Sequence, residues 1–170
     1  MNMYDEMVLY IEACESGSMF DGLLADNINV YATTAANPNE SSWGYYCYPD
    51  DIVNGVHINS CLGDLYSVKW MEDSDAASIA TETLGDQFTY IKQVTASQQH
   101  AMEYGQLSFK TEPIGDFEGD LDITSNFFDN LVAKAVLATD SFRKLKSDSH
   151  AHAAVNSRDV RLNHLYAKVM

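Results

Sequence analysis

Apolar positions along this chain fall into short blocks whose period changes. Met7–Ala13 (M-V-L-Y-I-E-A) is a compact run of apolar and β-branched residues that stops at a Ser/Gly cluster, the pattern of a buried strand. Ser16-Gly17-Ser18 opens a short helical segment to about Leu24, which Ala25-Asp26-Asn27 ends. Ile28–Thr34 (I-N-V-Y-A-T-T) repeats the strand pattern. Two strands joined by a short helix make a right-handed parallel crossover. Asn37–Gly63 has no sustained period and holds Pro, Asn, Gly, Ser, Tyr and Trp. A connection of that length is either functional or disordered, and its aromatic content argues for an ordered, functional one.

Beyond it the period becomes helical. Asp64–Met71 and Ser78–Val94 read as helices. In the second, Ile79, Leu84, Phe88 and Ile91 share an apolar stripe, with Thr83, Asp86 and Gln87 on the other side. Met102–Lys110 is a third strand candidate. Leu121–Lys146 is expected to be helical from Asn126, with Phe127, Leu131, Ala135 and Ala138 on one stripe. The tail from Ser147 reads as a linker, and Val155–Met170 begins another helical segment.

Composition narrows the class. The chain has 170 residues, 46% hydrophobic and 11% aromatic, which reads as one globular domain. Its longest apolar runs are too short to span a bilayer, so no membrane role is expected. A net charge of −15 excludes a default nucleic-acid binder, since phosphate contacts need clustered Lys and Arg. Met1–Tyr10 has acids and no basic residue, unlike a signal peptide. No metal or cofactor is expected.

The three cysteines, Cys14, Cys47 and Cys61, invite one pair and one free thiol. Cys14 closes the first strand in Y-I-E-A-C-E-S-G-S. Sites in parallel α/β sheets lie at the carboxyl ends of strands. A helix start just after the cysteine would favour a thiolate, and the Cys14 N–H could donate to a developing oxyanion. A buried structural cysteine at a strand end fits the same pattern.

Longer motifs separate the two. E-A-C-E-S-G-S-M at Glu12–Met19 and I-N-V-Y-A-T-T-A-A-N-P-x-E-S-S at Ile28–Ser42 come first. L-G-D-L-Y-S-V-K-W-M-E-D-S-D at Leu62–Asp75 and H-A-M-E-Y-G at His100–Gly105 come next. Together they resemble the legumain (asparaginyl endopeptidase) family of clan CD cysteine peptidases. Caspases share that fold, but with a Q-A-C-x-G motif; the anchor-attaching transamidase has D-T before its cysteine. Glu12-Ala13-Cys14-Glu15 favours legumain over both.

The resemblance implies an α/β fold, a partial caspase-like three-layer sandwich with a mainly parallel sheet and its N-terminal strands missing. It implies residues 1–119 as the C-terminal part of a catalytic domain and 155–170 as the start of a propeptide. The segment 120–154 has no match. Cys14 would be the nucleophile. Glu12, Ser41 and Asp64, with Ser42 and Trp43 beside them, would receive an Asn side chain, whose amide needs acceptors for its N–H groups. Cys47 and Cys61, flanking a loop, would form a disulfide. Val155-Asn156-Ser157-Arg158-Asp159 resembles the plant-type propeptide opening, which makes Asn156 and Asp159 processing positions.

The family's catalytic histidine precedes its cysteine, and no residue before Cys14 is His. His57, His100, His150, His152 and His164 all lie after it and read as solvated or structural. The chain is therefore expected to be an inactive piece of an endopeptidase of the vacuole, lysosome or secretory pathway. Its expected partners are Asn-containing peptides, the missing N-terminal part and the C-terminal prodomain. The alternative is a truncated, non-catalytic binding or decoy module.

Overall fold

The computed structural model describes residues 3–119 and 153–169. The first run of apolar residues forms strand β1 (Met7–Ile11), and β2 (Val30–Thr34) lies parallel to it, Met7 opposite Val30 and Ile11 opposite Thr34. The third strand, β7 (Met102–Gly105), pairs with the far edge of β2 and runs antiparallel. It ends at Gly105 rather than at Lys110. Gly105 has φ +81, which ends the strand direction, and a Cβ there would collide with the Val30 carbonyl. The remaining residues to Phe109 form a 3₁₀ turn, Leu107–Phe109.

The central position of β2 explains its composition. All five of its residues are buried. On one face Val8, Tyr10 and Tyr31 meet helices α1 (Leu65–Ala76) and α2 (Leu84–Thr95) and the segment that ends in α3 (Gly115–Glu118). Tyr66, Phe88, Ile91, Ala35 and Ala101 form one apolar cluster there; Tyr31, Leu84, Phe109 and Ile114 form another. The opposite face is covered by the crossover between β1 and β2, where Phe20 packs 6.0 Å from Tyr104.

Helix α2 begins later than its apolar periodicity predicts. Thr83 caps it: its hydroxyl accepts the Asp86 N–H while the Asp86 carboxylate accepts the Thr83 N–H, a reciprocal box that fixes the start at Leu84. Gln87, expected on the polar side, is buried: it accepts the Tyr10 hydroxyl at 2.7 Å and donates to Ser74 at 2.9 Å. A buried amide stays inside when its hydrogen bonds are met.

The long connection after β2 is ordered. It contains β3 (Trp43–Tyr45), the exposed hairpin β4 (Ile52–Val53) and β5 (Val56–His57), and β6 (Gly63–Asp64). Strand β3 is the centre of a second small sheet, antiparallel to β6 on one side and to β8 (Val155–Asn156) on the other. Helix α4 (Val160–Ala167) comes after a 3₁₀ turn at Ser157–Asp159.

The architecture is mixed α/β, but a mainly parallel sheet is not what the described residues form. Only β1 and β2 run parallel; β2–β7, β3–β6, β3–β8 and β4–β5 are all antiparallel. The crossover between Ile11 and Val30 brings the chain back to start β2 in the direction of β1, whereas the longer connections to β7 and β8 enter their partners from the opposite end. The helix expected over Asn126–Lys146 lies outside the described residues. Among the described residues no helix is long and apolar enough to cross a membrane.

Candidate active site

The carboxyl end of β1 delivers Glu12, Ala13 and Cys14 to one point in the fold. Cys14 is a half-buried free thiol. The chain beyond it makes one short 3₁₀ turn, Ser16–Met19, in place of the expected longer helix, so no sustained helix dipole faces the sulfur. Glu15 adopts the left-handed region at φ 49, a conformation costly for a residue with a Cβ. Three backbone bonds brace this turn. Glu15 N–H donates to the Glu40 carbonyl at 2.7 Å, Gly17 N–H to the Ala36 carbonyl at 2.9 Å, and Ser18 N–H to the Glu15 carbonyl at 2.8 Å. Gly17 is required by close approach: a Cβ there would stand 2.5 Å from the Tyr104 hydroxyl and 2.9 Å from Pro38.

The loop after β2 brings Ser42 to the thiol, its Oγ 3.6 Å from Cys14 Sγ. Ser41 precedes it, half-buried, and Trp43 begins β3 with its N–H donating to Gln99 Oε1 at 2.8 Å. Asp64, opposite Gly44 across the β3–β6 ladder, stands at the start of α1 without making a side-chain cap bond there. Glu12 lies under the same helix start: its Oε2 accepts the Ser67 N–H at 2.8 Å, and its Oε1 is enclosed without a hydrogen-bond partner. Burial pushes the Glu12 carboxyl up to about 7, against the lowering effect of the Ser67 bonds; the nearby Asp64 charge adds to the rise. Burial also raises Asp64. The structure thus gathers Glu12, Cys14, Ser41, Ser42, Trp43 and Asp64 around the end of β1.

It also places there residues 155–159, which form a strand and a 3₁₀ turn rather than the start of the helical segment that the sequence suggested. Strand β8 pairs with β3, Asn156 opposite Trp43, so the backbone at Asn156 is engaged and its side chain accepts the Arg158 N–H at 3.0 Å. Ser157 N–H donates to the Ser42 carbonyl at 3.0 Å, and the two hydroxyls lie 3.1 Å apart. The Arg158 Nη2 reaches both Glu15 carboxylate oxygens, at 2.6 and 2.7 Å. The hydrogen bond and charge of Glu15 raise Arg158 above its ordinary value, and Cys14 acts in the same direction. Asp159 is exposed ahead of α4. The backbone of this segment completes the edge of β3.

Cys47 and Cys61 are joined by a disulfide with Cα atoms 3.9 Å apart. It closes the loop that holds the β4–β5 hairpin. Within it, His57 Nδ1 lies 2.6 Å from the fully buried Asp51. His100 Nδ1 meets Glu40 at 2.8 Å, and His164 lines a small cavity with Cys61, its Nδ1 enclosed and without a hydrogen-bond partner. His150 and His152 lie outside the described residues. Among the described residues no group of three His, Cys, Asp or Glu side chains is placed to hold a metal.

Motif reasoning missed Glu15, Glu40, Ser157 and Arg158 as members of the site. Their signal was present, since all four stand inside the family-like motifs, but nothing in a linear motif says that its polar residues touch.

The described residues thus place a half-buried thiol at the carboxyl end of a parallel strand, with the Ser42 hydroxyl beside it and the Glu12 and Asp64 carboxylates nearby, on a mixed α/β scaffold. The model of the Peptidase C13 family matches residues 1–120, and the chain belongs to that family. It is 42% identical over 170 residues to a vacuolar-processing enzyme of Vicia sativa, covering 97% of this chain and 32% of that protein. Against the vacuolar-processing enzyme beta-isozyme 1 of Oryza sativa subsp. indica the identity is 41% over 144 residues, 81% of this chain and 29% of the relative. With the delta-isozyme of Arabidopsis thaliana it is 38% over 170 residues, 98% of this chain and 34% of the relative. The chain thus spans about a third of the length of these relatives.

Proposed function

We propose that this chain carries the nucleophile and the acidic side of the specificity pocket of a legumain-type cysteine endopeptidase. Its setting would be the vacuole, lysosome or secretory pathway. The observation that supports this best is the convergence of Cys14, Ser42, Glu12 and Asp64 at the end of β1. The substrate is a peptide with Asn before the scissile bond. The Asn amide N–H groups donate to Glu12, Asp64 and the Ser41 hydroxyl, the acceptors that an amide of this kind requires.

In the reaction the Cys14 thiolate adds to the carbonyl carbon after Asn. The C–N bond breaks, the amine leaves with a proton, and water or a second amine then takes the acyl group from sulfur. The proton is carried by a general base. Among the described residues the side-chain partner of Cys14 is Ser42 and not a histidine, so we assign that task to a histidine outside the described residues. The caspase-like sandwich would then be completed beside β1, which among the described residues pairs only with β2. The Asn156–Ser157 bond, held against Ser42, is the proposed processing position, with Asp159 a secondary one. At acid pH Glu12, raised to about 7, is itself protonated, and a protonated Asp substrate then meets neither it nor Asp64 as a like charge.

Covalent labelling tests this. An electrophilic peptide probe with Asn next to its reactive carbonyl should modify Cys14 in preference to an Ala probe. An Asp probe should approach the Asn rate only at acid pH, and Asp64→Asn should reduce the preference for Asn. Equal labelling by Asn and Ala probes sinks the pocket assignment, and labelling retained in Cys14→Ser sinks the nucleophile.

A further inference from the structure

Glu40 joins three segments beside the proposed nucleophile. Its backbone carbonyl accepts the N–H of Glu15, the peptide group directly after Cys14, at 2.7 Å. Its Oε1 accepts the N–H of Asn37 at 2.8 Å and the N–H of His100 at 2.9 Å. Its Oε2 meets His100 Nδ1 at 2.8 Å. The neighbouring Gln99, fully buried, accepts the Trp43 N–H. Gln99 and His100 therefore grip both ends of the stretch Glu40–Trp43. Between the two grips lie Ser41 and Ser42, and Ser42 Oγ is 3.6 Å from Cys14 Sγ.

Two physical points make this more than a surface ion pair. The His100 ring is exposed, and an exposed pair of charges alone contributes little. But Glu40 also takes two backbone N–H donors, and such charge-assisted bonds are stronger and more directional. Moreover, Glu15 stands in the left-handed region, so the Cys14–Glu15 peptide keeps its orientation only while surrounding bonds hold it.

We infer that Glu40, anchored by His100, is a positioning residue for Cys14: it holds the Cys14–Glu15 peptide group and the Ser42 hydroxyl in fixed relation to the sulfur. This rests on Cys14 being the nucleophile. Glu40 does not touch the thiol. It acts through Glu15 N–H on one side and through the loop to Ser42 on the other. The titratable groups around it are His100 before β7, Cys14 and Glu15 after β1, and Arg158 after β8. Burial pushes the Glu40 carboxyl up, but the bonds from Asn37 and His100 outweigh this and hold it below the ordinary carboxylate value. A depressed carboxyl contributes stability above its unfolded value and loses it only as pH falls through the lowered one. The tie therefore stays formed under mildly acidic conditions.

The test is the pH profile of Cys14 alkylation by iodoacetamide in the full chain, with thermal stability measured alongside. Displacing the peptide group and the hydroxyl leaves the thiolate less stabilised. Glu40→Ala should move the profile to higher pH and slow the reaction at pH 6 about tenfold. His100→Ala should slow it about threefold, and Glu40→Gln, which keeps an acceptor, should fall between wild type and Glu40→Ala. Lys110→Ala, which breaks an ion pair with Glu103 elsewhere on the sheet, should leave the profile in place. At Glu40 the sign separates positioning from simpler effects, so Glu40→Gln carries that distinction. Removing a nearby negative charge favours the thiolate, and local unfolding exposes it, so both accelerate alkylation. An unchanged or faster profile in Glu40→Gln and His100→Ala overturns the assignment. If Glu40→Ala fails to fold, those two variants carry the test. Alkylation needs no peptide, so this inference and the specificity reading fail separately.

Discussion

The two larger sheets are built on different principles. In β1-β2-β7 the central strand is wholly buried, and helices α1 and α2 press apolar side chains onto one face. In β6-β3-β8 the strands are only two or three residues long. There the chain is held by backbone ladders, a disulfide, the Gln99–Trp43 bond and the Arg158–Glu15 pair. Apolar burial is contributed by many contacts at once and does not depend on any single partner. A polar seam depends on each bond in turn. Cys14 stands on the first kind of structure, while Ser42, Trp43 and Asp64 stand on the second. The strand that carries Cys14 is thus fixed by the core, while the groups beside the thiol depend on the polar seam.

The largest expected effect comes from the core. Ile91→Ala removes a fully buried side chain from the cluster with Tyr66 and Phe88 and should destabilise by about 3–4 kcal/mol in urea unfolding. Both sheets should lose hydrogen-exchange protection together. If β3 and β6 kept theirs, the small sheet would have stability of its own and the contrast would fail.

A middle-sized effect is expected at the seam, from Glu12. A carboxyl raised by burial contributes stability below its unfolded value, and that stability is lost as pH rises toward about 7. Glu12→Gln should therefore match wild type at pH 4 and exceed it at pH 8 by on the order of 2 kcal/mol, measured by thermal unfolding across pH. A variant less stable than wild type at pH 8 would mean that the Glu12 carboxylate has a partner that offsets its burial.

The smallest effect on folding is expected from Arg158→Ala, because the pair with Glu15 is exposed. Its melting temperature should stay within error of wild type. Cys14 alkylation at pH 9 should rise about threefold as the segment after β8 loosens. An unchanged rate would show that the β3–β8 ladder alone keeps that segment in place.

Much of the first sheet was legible in the chain. The β1 and β2 runs were marked by apolar and β-branched residues, and the helices by their apolar stripe, because local periodicity records which face is buried. The errors lay where neighbours decide. Gln87 looked solvent-facing but is buried, since Tyr10 and Ser74 satisfy its amide. The third strand was visible, but its direction was not: period-2 alternation is the same whichever way a strand runs. In the site, motifs singled out Cys14, Glu12, Ser42 and Asp64. They could not show that Glu12 has an enclosed oxygen without a partner, or that Glu40 reaches the peptide after Cys14.

What the sequence by itself determined is the family, the residue types of the site and the strands that carry them, because these are written in contiguous motifs and short-range periodicity. What only the tertiary structure decided is who touches whom: β7 set antiparallel beside β2, β8 laid along β3, and Arg158 brought onto Glu15 from far along the chain. Those pairings are hydrogen bonds and ion pairs between distant segments. Their free energy depends on burial and geometry that exist only once the core has closed.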